Sequence, residues 1–175
     1  MNKRFGIFFK VVIICSVTGF ILSACKENVH PNIEQKVVFI QQYINYASGY
    51  QNNGYYIDNE GNVIEFDLSE DGEQYADQLE MIRYFEKQEN QIIKKTISRN
   101  ELDKYYEYLY KIDTNAELIK KSVGADMGAN SIFGITYTKE GVLRIITIDS
   151  TGDWEVKNTD KYAQKINNWL RQVTS

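Results

Sequence analysis

The chain is poor in the residues that most often carry chemistry: 175 residues contain one histidine, two cysteines and one proline. Two cysteines cannot staple a disulfide-rich miniprotein, and 43% hydrophobic with 25% charged residues excludes a disordered or collagen-like chain. The histidine, His30, sits in the stretch Lys26 to Asn32 (KENVHPN), which has no apolar period. A Ser-His-Asp or Cys-His site therefore cannot be assembled on the folded part, and a zinc site of His and Cys lacks its ligands. A Ser-Lys dyad fares no better. There is no Ser-x-x-Lys at a strand-to-helix turn, and Lys120-Lys121-Ser122 has the reverse order.

Acidic residues are missing from the first 24 residues, which carry Lys3, Arg4 and Lys10. From Val11 to Ala24 there follow fourteen consecutive uncharged, mostly apolar residues. A membrane-spanning helix needs about 20 such residues, and reaching that length here would enclose Lys10. A basic segment followed by a short apolar one reads as a signal peptide, with an uncleaved N-terminal anchor as the alternative.

The apolar stretch ends in Leu22-Ser23-Ala24-Cys25, an aliphatic residue, two small residues and a cysteine. This resembles the lipobox of bacterial lipoproteins. The resemblance covers residues 1–25 and implies a processing class rather than a fold. It implies that the Cys25 thiol receives a diacylglyceryl group, that cleavage after Leu22, Ser23 and Ala24 leaves Cys25 as the first mature residue, and that an N-acyl chain can be added. The implied location is the extracytoplasmic face of a cell membrane, held by lipid. The abundance of Asn, Ile, Lys and Tyr resembles proteins of low-GC Gram-positive bacteria.

Removing residues 1–24 takes three of the 20 basic groups and none of the 24 acidic ones, leaving 151 residues with a formal charge of −7. That balance disfavours nucleic acid as a partner. Cys15 leaves with the signal and Cys25 is consumed by lipid, so no thiol remains, and no dissociable cofactor is expected.

Residues 25–32 read as lipidated cysteine and tether, and 33–175 as one globular domain. Ile33, Val37, Ile40 and Ile44 recur at helical spacing and predict a first helix ending near Gly49. Gly54–Ile57 and Val63–Leu68 around Asp58-Asn-Glu-Gly-Asn62 predict a hairpin. Leu79, Ile82, Phe85, Ile92 and Ile93 predict a helix, and Ser98-Arg-Asn-Glu101 has the form of a capping box opening another, with Leu102, Tyr105, Tyr106, Leu109 and Ile112 on its stripe. A short helix is expected over Asn115 to Ser122. Ile132–Thr138, Val142–Ile148 and Trp154–Val156 predict a three-stranded meander, and Asn158-Thr-Asp160 caps a final helix. The whole is expected to be α+β, an antiparallel sheet of hairpin plus meander with helices packed on one face.

Candidate sites are few. Acidic residues concentrate at Asp58, Glu60, Glu65, Asp67, Glu70, Asp71 and Glu73, where a glycoside-cleaving pair could sit. Asp67, Ser69 and Asp71 followed by Gly72 resemble the first positions of an EF-hand calcium loop, but its twelfth position is Gln78, which cannot supply the bidentate carboxylate. Gly124 to Asn130 (GADMGAN) lacks the spacing and lysine of a phosphate loop. Of 13 tyrosines, Tyr43, Tyr46, Tyr50, Tyr55 and Tyr56 cluster near the hairpin and Tyr105, Tyr106, Tyr108 and Tyr110 crowd one helix, so some aromatic surface should be exposed. The expectation is a non-enzymatic binding module at the cell envelope, with Tyr55, Tyr56, Tyr106, Tyr108 and Tyr110 as its surface and an envelope protein or glycan as partner. The alternatives are an envelope glycan hydrolase using carboxylates between 58 and 73, and a small solute-binding lipoprotein with a pocket inside one domain.

Overall fold

The computed structural model describes residues 31–175 apart from 48, 72, 90, 114, 117, 125–127 and 139. The signal segment, Cys25 and tether residues 26–30 lie outside the described residues. Residues 31–175 form one compact unit. Among the described residues no helix is long and apolar enough to cross a membrane.

The first element is β1 (Val37–Asn45), a strand and not the expected helix. Val37 and Ile40, the middle two of the helically spaced residues, belong to an unbroken apolar run, Val37 to Ile40, every member of which is buried. β1 lies between β2 (Gln51–Asp58) and β6 (Ala129–Tyr137) in the middle of the sheet. A strand covered on both faces loses the alternation that would distinguish it from a helix.

The predicted hairpin is β2 with β3 (Asn62–Asp67), and the predicted meander is β6 with β7 (Leu143–Thr151) and β8 (Trp154–Asn158). Two further strands replace predicted helix. β4 (Ile92–Thr96) follows a helix that stops at Lys87, where Gln88 turns extended, and it pairs with β3. β5 (Leu118–Ser122) pairs with β8. Five residues do not repay the cost of a helix nucleus, whereas a strand of that length gains a complete ladder from its neighbour. The eight strands run β4-β3-β2-β1-β6-β7-β8-β5, every neighbouring pair antiparallel.

Among the described residues three α-helices complete the α+β fold. α1 (Gln78–Lys87) is capped by Asp77, whose carboxylate accepts from the amides of Leu79 and Glu80. α2 (Arg99–Lys111) starts at Ser98, whose hydroxyl accepts from the Glu101 amide, the first half of the expected capping box. The Glu101 carboxylate accepts the indole N–H of Trp169 at 2.7 Å and so joins α2 to α3 (Lys161–Val173). Asp160 caps α3 through the amides of Tyr162 and Ala163.

The helices were expected on one face, but they divide. α2 and α3 pack Leu102, Tyr106, Leu109, Ile166 and Trp169 onto Phe39, Ile57, Ile132 and Ile148. α1 packs Met81, Ile82 and Phe85 onto the opposite face, against Ile40, Tyr56, Ile64 and Phe66. The central strands carry apolar residues on both sides, so both sides need cover. Towards the later strands the α1 face thins: Leu143, Ile145 and Val156 are half-buried, and Trp154 is 59% exposed.

Candidate functional site

The thinning leads to one end of the sheet, where β1 and β7 finish and β6 begins. Register aligns Tyr43 on β1 with Asn130 on β6 and Thr151 on β7. That row, with Val123, Gly128, Gly152 and Glu155, lines a cleft of about 410 Å³ on one face. Strand alternation turns Ile44, Ala129, Ser150 and Val156 to the other face. There, with Tyr46, Asp153 and Trp154, they line a second cleft of about 290 Å³. Gly128 borders both.

Two glycines set the shape. A Cβ on Gly152 would stand 2.0 Å from the Gly128 carbonyl oxygen, so the β7–β8 turn touches the start of β6 only because Gly152 has no side chain. Gly128 itself has φ +70°, and a Cβ there would meet the Tyr43 hydroxyl at 2.9 Å. The result is a low saddle of bare backbone between the clefts.

The aromatic rings around the saddle are held from behind. Asn45 donates to the Tyr43 hydroxyl at 2.9 Å and accepts from the Ala47 amide at 2.9 Å. The Tyr46 and Tyr50 rings lie 5.5 Å apart. The Tyr50 hydroxyl accepts from Asn52, whose amide group also donates to the Tyr75 carbonyl and accepts from Gln42 at 2.9 Å. Asn52 is fully buried, and its backbone N–H and C=O bond Ser69 Oγ and the Leu68 amide. A fully satisfied polar hub of this kind fixes the β1–β2 turn that carries Tyr46 and Tyr50. The Asp153 carbonyl accepts from the amides of Val123 and Gly124 and ties the far wall to the β7–β8 turn.

Among the described residues the charged ones lining the clefts are Asp153 and Glu155, and the β5–β8 register sets Lys121 opposite Glu155. Asn130 Oδ1 is buried without a hydrogen-bond partner. An acceptor left in that condition costs about 1–3 kcal/mol.

Searches against family models, curated proteins and solved structures find no match. The site therefore stands on its own geometry.

The predicted tyrosine surface is dispersed by the fold. Tyr56 and Tyr106 are core residues, 2% and 1% exposed, and form no surface. Tyr56 stacks on Phe85 at 4.4 Å, and Tyr106 bonds Tyr110, Thr136 and Gln35. Tyr55 and Tyr108 are half-buried, and Tyr110 is exposed. Tyr108 packs against Tyr105 and Tyr162, with Lys111 and Lys165 over its ring. A single helix cannot present adjacent tyrosines to water while its stripe is buried in the sheet.

The acidic run also separates. Asp58 sits in the β2–β3 turn, buried, accepting from the amides of Glu60 and Asn62 and from the Asn62 side chain. Glu65 pairs with Lys94 on β4. Asp67 and Asp71 lie at the other end of six-residue β3, about 20 Å from Asp58. Residues adjacent in sequence are thus at opposite ends of the sheet. Asp67 accepts from the Ser69 amide and hydroxyl, and Ser69 Oγ is the acceptor for Asn52, so two of the calcium candidates serve as turn and hub. Among the described residues no three His, Cys, Asp or Glu side chains converge to hold a metal ion. The loop Gly124 to Asn130 borders the saddle through Gly128 and Asn130, its residues 125–127 lying outside the described residues.

Trp154 and Asn130, the residues that define the clefts, were not singled out from the sequence. The available signal was Trp154 after the turn Ser-Thr-Gly-Asp, an aromatic residue with no apolar partner at i+2 spacing except Val156.

Proposed function

We propose that the protein is a lipid-anchored envelope protein, acylated at Cys25, whose one domain is a non-enzymatic binding module that holds its ligand at the Tyr43–Tyr46–Trp154 end of the sheet. The observation that carries this reading is the pair of clefts around the Gly128–Gly152 saddle, rimmed by rings that water covers: Trp154 at 59% and Tyr46 at 54% exposure. Concave sites with aromatic walls and a few fixed polar groups are the usual form of ligand sites. The Arg99 guanidinium donates to the carbonyls of Pro31 and Asn59, so the chain from Cys25 enters the domain beside the β2–β3 turn. The clefts lie at the other end of β1, nine residues or about 30 Å away. Two acyl chains suffice for stable anchoring, which leaves the domain free to bind.

The anchor is tested by Cys25→Ala followed by membrane fractionation. Loss of processing at Ala24-Cys25 supports acylation, whereas a variant still cut there and still membrane-bound contradicts it. The site is tested in cells with a photo-crosslinking phenylalanine analogue at position 154, and at exposed position 110 for comparison. Adducts from 154 are expected. Adducts confined to 110, or none at either position, contradict the reading.

A further inference from the structure

We infer that β4, the sheet edge on the tether side of the domain, lies against the bilayer that holds the Cys25 lipid, with Ile92 and Ile93 among the headgroups. The inference rests on the acylated anchor and goes beyond it, to the side of the domain that meets the membrane. Reach is the first ground. Six peptide steps separate Cys25 from Pro31 and span at most about 20–22 Å. Arg99 ties Pro31 to Asn59 in the β2–β3 turn. β4 ends against the same turn, where Thr96 Oγ1 donates to Asn62 Oδ1 and the Ile97 amide to the Gly61 carbonyl, both at 2.9 Å. The opposite edge, β5, has nearly the same sequence but lies five strand spacings beyond β2, about 24 Å, which is more than the tether spans.

Exposure is the second ground. Ile92 and Ile93 are 68% and 53% exposed. Successive strand residues point to opposite sides, so one flat partner surface cannot cover both, whereas a fluid headgroup layer wraps an edge. The third is the ladder. The register of β4 on β3 shifts between Val63 and Ile64, which leaves Lys94 out of step and bends the edge that an added strand would need. Charge decides the kind of contact. β4 and the segment before it carry Lys87, Lys94 and Lys95 against Glu86 and Glu89, with Glu65 on β3 bound to Lys94, so the patch is balanced and the attraction is apolar. The lysine stems lie along the apolar layer while their ammonium groups stay in water. Two isoleucines would not hold a free domain, but the lipid makes the contact intramolecular. The sheet then stands on its β4 edge, and the strands that bear the clefts, β1, β6, β7 and β8, rise about 14–29 Å above the membrane surface.

The test takes the full acylated chain, purified in detergent micelles and reconstituted into phosphatidylcholine vesicles. A fluorophore is attached through Lys95→Cys or, for comparison, through Lys121→Cys at the matching position of β5. Cys15 leaves with the signal and the Cys25 thiol is acylated, so the introduced thiol takes the label. Lipids that carry a spin label near the glycerol should quench the probe at 95 and leave the probe at 121 unchanged. Adding Ile92→Ser and Ile93→Ser, both at exposed positions, should lower the ratio of docked to free domain at least about tenfold. Vesicles that contain phosphatidylglycerol should give the same quenching as phosphatidylcholine alone. The inference is overturned if 95 and 121 are quenched alike, if the double serine variant is quenched as the parent is, or if quenching requires phosphatidylglycerol. Vesicle flotation separates the docking from the anchor. A chain that floats with its probe at 95 unquenched retains the anchor and discards the docking, and a chain that does not float removes both.

Discussion

Tyr56 and Tyr106 share the core yet differ in what their hydroxyls meet. The Tyr106 hydroxyl bonds Tyr110 at 2.8 Å and approaches Gln35 and Thr136, while the Tyr56 hydroxyl is buried without a partner. Tyr106→Phe should therefore destabilise the domain by about 1–2 kcal/mol, and Tyr56→Phe should be neutral or stabilising, because it removes an unsatisfied group and keeps the stack on Phe85. Urea midpoints of the two variants decide this, and equal losses would contradict it. Burial, aided for Tyr56 by the nearby Asp58, pushes both phenols above their ordinary value. The folded chain then holds protons that the unfolded chain releases near pH 10, so stability is intact below that pH and falls as pH rises above it. The Tyr56→Phe, Tyr106→Phe double variant should show a shallower alkaline decline than the parent. Asn52 is the corresponding hub at the site: Asn52→Ala strands the buried Gln42 amide and should cost about 3 kcal/mol.

At the scale of elements, Asp160 does two jobs, capping α3 and accepting from the Asp113 amide after α2. Asp160→Ala should cost about 1–2 kcal/mol, read as a lowered urea midpoint with unchanged slope. Elements with a single wet face were legible in the sequence. β3, α2 from its Ser98 cap and α3 from its apolar stripe carry a period that survives because one side meets water, whereas β6, buried on both sides, was legible only as an apolar run bounded by turn residues. β1 was misread because both its sides are buried, and β4 and β5 because strands of five residues carry no usable period. The candidate site was less legible. Tyr43 and Tyr46 stood out by composition, but what joins them to Asn130 and Trp154 is the pairing of β1 with β6, which links residues more than 80 positions apart. The acidic run misled for the converse reason, since β3 carries its two halves to opposite ends of the sheet.

For the whole molecule, both outer strands of the sheet read alike: Ile-Ile-Lys-Lys-Thr in β4 and Leu-Ile-Lys-Lys-Ser in β5, all ten residues exposed. Apolar residues on an open edge invite pairing with another copy, and lysines oppose it by their charge. Replacing Lys94, Lys95, Lys120 and Lys121 by Gln should raise the mass measured by light scattering in the same detergent. An unchanged mass would show that the lysines do not guard the edges. With the edges so guarded and both central faces covered by helices, the sheet end at Trp154 is where the domain offers concave aromatic surface. The most direct test of that claim is hydroxyl-radical footprinting of the anchored protein on intact envelopes and after purification. Protection on the envelope is expected at Tyr43, Tyr46 and Trp154, with Tyr110 equally reactive in both states. Protection centred on Tyr110 and α2, with Trp154 unchanged, would contradict it.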